Sequence, residues 1–341
     1  MKVSKQHLAD LEMVYAITVM NINGKEYCIA ASENRNGECF MMDPENGEQY
    51  TLWNGPGGVM SLVPLEDENA FLSIEEFYPV FDSERASVWK NEFTEGDGIQ
   101  IKKEKLCDLP FVHRIGMLKD GEKQYLIGAS LCSGKDYTED WSRPGGIYVS
   151  EYEKGKAIEL KEIYKGLTKN HGMYLHTRAD GKQEMLIGAS EGMLVIHHEE
   201  EWKTEIFPIG ETSDIWTADF DGDGKDELAV IQGFHGEHIR ILKELNGKYQ
   251  MIGELPIHFG HVIWAGRIWG ELYLIGGSRS EDKALTLYKV TEKAIPEFHA
   301  TVIEENTGAT QICVSVDEEE ARIYAANHGA GSIDMYRIHR S

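Results

Sequence analysis

Two groups of residues in this sequence have the types and spacing to do chemistry. In Thr217-Ala-Asp-Phe-Asp-Gly-Asp-Gly-Lys-Asp-Glu-Leu-Ala-Val230, Asp219, Asp221 and Asp223 alternate, Gly224 follows, and Glu227 stands at position nine of the run that Asp219 opens. Alternate carboxylates on a tight turn converge on one point, and an all-oxygen set suits a hard cation such as calcium. A polar turn without an ion would use the same residues. The second group is a subset of thirteen histidines. Imidazoles brought from separate segments to one axis can hold a transition metal, with manganese or zinc as the candidates. Each histidine taken alone reads first as a hydrogen-bonded channel or surface residue, and it is the set that points to a metal.

Which residues meet depends on the elements that carry them, and these repeat. A short apolar-small motif recurs as Cys28-Ile-Ala-Ala-Ser32, Phe71-Leu-Ser-Ile-Glu75, Leu126-Ile-Gly-Ala-Ser130, Leu186-Ile-Gly-Ala-Ser190, Ala229-Val-Ile-Gln232, Leu274-Ile-Gly-Gly-Ser278 and Ile323-Tyr-Ala-Ala-Asn327. The steps between copies are 43, 55, 60, 42, 46 and 49 residues, the spacing of propeller blades. Each copy follows an apolar stretch and a polar turn. Alternating runs such as Gly146-Ile-Tyr-Val-Ser-Glu-Tyr152 and Ile158-Glu-Leu-Lys-Glu-Ile-Tyr164 come after it. Period-two patterning bounded by Gly, Asn and Asp predicts four strands per unit. The fold class is therefore all-β, a single seven-bladed β-propeller over 1–341. Blades are expected near 12–56, 57–109, 110–167, 168–210, 211–256 and 257–306, and the last is 307–341 completed by 1–11. The seventh unit lacks an outer strand, and Val3–Leu11 has no other place.

The carboxylate loop falls between the first and second strands of blade five. It resembles the Asp-rich loop of FG-GAP or VCBS-type propeller repeats, with Glu227 where that family usually has Asp. The resemblance implies a cation that braces a turn. The whole pattern is also distantly similar to oligogalacturonate lyases, seven-bladed proteins that hold a metal with histidines and a glutamine in the channel, and to aldos-2-ulose dehydratase propellers. No catalytic motif of either is matched, so no catalytic residue carries over.

In this topology the starts of the inner strands and the loops between second and third strands share one face. Counting back about a dozen residues from each motif places Tyr15, Val59 or Met60, His113, His171 with Met173, Asp214 with Trp216, His261 and Gln311 at the channel mouth, and the loops add His235 and His328. His113, His171, His261, Gln311 and His328 are the candidate transition-metal ligands. His235, His176 and Tyr137 are the candidate proton acceptors. Two rim loops are long for so economical a repeat, Glu75–Arg85 and Ser133–Gly145, and such loops are often functional. Tyr78, Trp141 and Arg143 within them, with Trp216, have the ring faces and polar groups to bind a sugar.

A net charge of -24 argues against nucleic acid and against anionic membrane surfaces, since both need clustered cations. No apolar run reaches membrane-spanning length and no secretion signal stands out. Five cysteines without Cys-x-x-Cys spacing point to free thiols and a cytoplasmic setting. The function these features favour is a metal-dependent carbohydrate lyase or dehydratase acting by β-elimination on a small sugar or uronate. The alternative is a non-catalytic propeller that binds a protein or glycan through its rim loops.

Overall fold

The computed structural model describes residues 2–65, 67–78, 82–94 and 99–340. Residues 79–81, in the middle of the blade-two rim loop, lie outside the described residues. The chain forms seven four-stranded antiparallel sheets, one per blade. After β1 (Lys2–Asp10), blade one is β2 (Val14–Ile22), β3 (Lys25–Ser32), β4 (Glu38–Met42) and β5 (Gln49–Asn54). Blade two is β6 (Leu62–Leu65), β7 (Ala70–Glu75), β8 (Ser87–Thr94) and β9 (Gln100–Asp108). Blade three is β10 (Val112–Asp120), β11 (Lys123–Ser130), β12 (Gly145–Tyr152) and β13 (Lys161–Leu167). Blade four is β14 (Met173–Thr177), β15 (Gln183–Ala189), β16 (Gly192–His198) and β17 (Trp202–Phe207). Blade five is β18 (Thr212–Ala218), β19 (Glu227–Gln232), β20 (His238–Leu245) and β21 (Lys248–Pro256). Blade six is β22 (Gly260–Ile268), β23 (Glu271–Ser278), β24 (Leu285–Thr291) and β25 (Glu297–Glu304). Blade seven is β26 (Ala309–Val316), β27 (Glu320–Asn327) and β28 (Ser332–His339), with β1 paired antiparallel to β28 as its outer strand. The N-terminal strand thus closes the ring, as the missing fourth strand requires.

The apolar-small motif is the second strand of every blade. These strands are buried on both faces, as in β7, where all six residues are buried. Their small residues are needed because neighbouring strands and blades press against them. A Cβ on Gly128 would lie 2.6 Å from the Leu109 side chain, and one on Gly276 would lie 2.8 Å from Ile239. Outer strands read differently: β17 alternates little and is mostly exposed. No helix in the described residues is long and apolar enough to cross a membrane.

One local irregularity recurs and shapes the channel mouth. In five blades the inner strand is bulged at its second residue, namely Tyr15, His113, Ser213, His261 and Thr310. A bulge leaves one residue out of the ladder and re-aims its side chain. In blades one, three and six it turns Tyr15, His113 and His261 to a common centre.

Candidate metal centre at the channel mouth

Tyr15, His113 and His261 are three of these bulged residues, and His171 just precedes its inner strand. The Tyr15 hydroxyl lies 3.3 Å from His113 Nε2, 3.5 Å from His171 Nε2 and 3.2 Å from His261 Nε2. His235 enters from the loop between β19 and β20, with its backbone at φ 53°. Its neighbour Gly236 packs so closely that a Cβ there would lie 1.6 Å from the Gln232 carbonyl oxygen. Ring centroids of His235 lie 4.6 Å from His171 and 5.0 Å from His261, the latter nearly parallel. One nitrogen from each of His171, His235 and His261 lies within 4.8 Å of the other two.

The partners behind the rings fix their protons. His261 Nδ1 is 2.8 Å from the Thr310 carbonyl oxygen, which can only accept, so the imidazole proton is on Nδ1. His171 Nδ1 is 3.0 Å from Asp214 Oδ2, which also accepts from Ser213 Oγ at 2.8 Å. Burial would raise the Asp214 carboxyl, but the adjoining His171, Arg114 and Ser213 outweigh it and hold the group below its usual range. Both Nε2 atoms therefore present lone pairs to Tyr15, which has a single O–H. Burial also disfavours the charged form of every ring: His113 and His261 fall well below the ordinary histidine value, His171 falls, and His235 is pushed down to about 2. Burial raises the Tyr15 phenol as well. His113 Nδ1 and His235 Nδ1 are buried without a hydrogen-bond partner among the described residues. Neutral imidazoles with surplus lone pairs in a desolvated space are a donor set that suits a borderline cation. The residues present fit a transition metal.

A cavity of about 170 Å³ lies over this layer, lined by the rings together with Glu33, Phe77, Tyr78, Phe234 and Arg279. A second cavity of about 230 Å³ lies on the other side, reaching Arg114, Asp214, Trp216, Trp264 and Gln311.

Of the candidate ligands, His113, His171 and His261 come together at Tyr15, and His235 joins them. His328 stands beside the cluster, donating from Nε2 to Glu33 Oε1 (2.7 Å) and accepting at Nδ1 from Arg279 Nη2 (3.0 Å). The Gln311 amide is engaged by the Met60 carbonyl and the Ile17 amide, so it braces adjacent strands. His176 lies down β14 from the mouth, between Glu184 at 2.9 Å and Asp226 at 3.4 Å; these carboxylates raise it to about 9, leaving an imidazolium with no lone pair to accept a proton. Tyr137 is 65% exposed on its loop. Trp141 packs on Phe234, whose ring lies 5.8 Å from His171, while Arg143 is turned back onto Asp136 and Asp140. Tyr78 is buried at the mouth beneath Arg35, and Trp216 stacks on Tyr174 below the histidine layer.

Glu33 and Arg279 escaped the sequence reading. Each immediately follows a repeat motif, as His328 and Leu131 do, and all four lie at the mouth, three of them lining the cavity. That shared position is the signal that would have found them.

The carboxylate loop is the turn between β18 and β19. Oxygens of Asp219, Asp221 and Glu227 gather within 4.8 Å. The Lys243 ammonium from β20 sits among these acids, bonded to Asp221, to Asp223 at 2.7 Å and to Glu227 at 3.2 Å.

No known protein family matches the chain, and no curated protein matches it by sequence. Among solved structures it is similar to a Bacteroides fragilis protein provisionally assigned as a 6-phosphogluconolactonase, at 14% identity and a TM-score of 0.54, over 95% of this chain and 93% of that one. At that identity the likeness establishes the architecture: the chain is a seven-bladed β-propeller.

Proposed function

We propose that the protein is a metal-dependent enzyme acting on a carbohydrate at the channel mouth, as a lyase or dehydratase. The observation that carries this reading is the surplus of imidazole lone pairs around one phenolic proton. A purely structural cluster would pair donors with acceptors, because unsatisfied buried polar atoms are costly. Here His171 and His261 both aim Nε2 at Tyr15, and His235 adds a third ring. These three would hold the ion, with His113 and Tyr15 beside it.

A divalent ion there would supply Lewis-acid polarisation of a substrate oxygen, worth several kcal/mol of barrier in such sites. The chain supplies the rest. Asp214 and the Thr310 carbonyl orient two of the rings from behind. Glu33 offers a carboxylate to accept the C–H proton in an elimination, held in place by His328 at 2.7 Å. Phe77, Tyr78 and Phe234 exclude water from the walls and give ring faces to a sugar. The fold neighbour's assignment to a sugar-processing activity agrees with that substrate class.

The test is elemental analysis of untagged protein purified without chelator, beside a His171→Ala/His261→Ala variant. About one equivalent of manganese, zinc or another transition metal, lost in the variant, is the expected result. Wild-type protein that stays metal-free after exposure to these ions would end the metal-enzyme reading and leave a binding propeller.

A further inference from the structure

Among the described residues eight of the eleven guanidiniums have a carboxylate oxygen within 4.0 Å. Arg114 and Arg340 donate to backbone carbonyls instead, and among these same residues Arg279 has neither a carboxylate within 4.0 Å nor a carbonyl partner. Its Nη2 instead donates to His328 Nδ1 at 3.0 Å, and the guanidinium lies 6.0 Å from the Phe259 ring centroid. Because His328 accepts at Nδ1, its own proton sits on Nε2 and is donated to Glu33 Oε1 at 2.7 Å. One neutral imidazole therefore holds a cation and a carboxylate apart, and both charged groups line the mouth cavity.

A guanidinium kept half-buried without a counter-ion is arranged to receive one, since its planar fork matches a carboxylate. Glu33 beside it accepts hydrogen bonds only. We infer that Arg279 is the specificity-determining residue of the site and selects an acidic substrate, taking the carboxylate of a hydroxy acid and leaving Glu33 to face the neighbouring C–H proton. This rests on the carbohydrate reading above and narrows it from sugars to sugar acids.

The experiment compares D-glucuronate with D-glucose, which differ only in a carboxylate for a hydroxymethyl group, by calorimetry on the full chain as purified. The wild type is expected to bind glucuronate tighter by about tenfold or more, the scale of one desolvated charge-assisted contact. Arg279→Gln abolishes the preference, and Arg279→Lys keeps part of it, so a poorly folded glutamine variant does not decide the matter alone. Arg267→Gln, which breaks an ion pair with Glu292 elsewhere on the molecule, leaves it intact. Equal affinity for the two sugars, binding of neither, or a preference that survives Arg279→Gln overturns the assignment. Metal content measured on the same samples separates the two readings. Protein that holds metal without preferring glucuronate sinks only the role of Arg279, and a preference without metal sinks only the metal centre.

Discussion

At the scale of single residues, the mouth depends on groups that never reach the cavity. Asp214 is the clearest case. Its carboxylate takes the His171 Nδ1 proton at 3.0 Å and so sets both the tautomer and the angle of the ring. Removing such an outer partner from a metal-binding histidine typically weakens metal affinity by about 10–100-fold. Asp214→Asn keeps the size of the side chain and Ser213 can still bond to it, so the fold should survive. We expect chelator competition to show affinity reduced within that range, with circular dichroism unchanged. An unaltered affinity would mean that Asp214 only satisfies His171 and Ser213 and does not serve the metal. His176 shows the converse lesson. Its residue type suited a base, but two carboxylates hold it protonated, and no feature of the local sequence announces Asp226 as a neighbour across blades.

At the scale of elements, the carboxylate loop and the bulged strands mark how far the sequence could be read. The loop's position between β18 and β19 was legible from its spacing alone. Lys243 was not, because it lies on the third strand and reaches the acids only once the sheet has formed. Its ammonium stands where a cation would, so the charge of Asp221 and Glu227 is already answered within the chain. Lys243→Met should lower the melting temperature in chelator by several degrees. Calcium at about 1–10 mM, roughly tenfold above the dissociation constants of weak sites, should then recover the loss in the variant and do little for the wild type. A wild type that gains as much from calcium would show that lysine and ion do not compete for the loop. Inner-strand starts were legible in the same partial way. Counting back from each motif found Tyr15, His113, His171 and His261, because the spacing to the end of the motif is nearly constant: 17 residues to Ser32, Ser130 and Ser278, and 19 to Ser190. The β-bulges that turn Tyr15, His113 and His261 inward leave no mark in the residues themselves, so convergence could be expected without its geometry. Glu33 and Arg279 were missed because each reads as an ordinary charged loop residue until seven copies are aligned on their motifs.

At the scale of the whole molecule, the site exists only while the ring is closed. Its ligands come from blades four to six, with His113 from blade three and Tyr15 from blade one beside them, so no blade carries enough to bind anything alone. Closure rests on β1, which pairs with β28 along most of its length and buries Leu8 and Ala9 against Ile333 and Met335. The remaining ladder of blade seven is local to the C-terminus, and without β1 the edge of β28 would be bare. An unpaired edge is a template for another chain. Leu8→Ala should cost about 2–4 kcal/mol, as large-to-small core changes do, read as a lower denaturant midpoint with an unchanged slope. Deleting residues 2–10 should cost more and change the oligomeric state, with scattering showing dimers or larger species. Tyr15 follows directly on this segment, and Thr310 of blade seven bonds its carbonyl at 2.8 Å. Loosening the seam should therefore also lower metal affinity, although the deleted strand contributes no ligand. A deletion variant that keeps the wild-type size in solution, with stability and metal content unchanged, would show that the other six blades hold the ring and its centre without the closing strand.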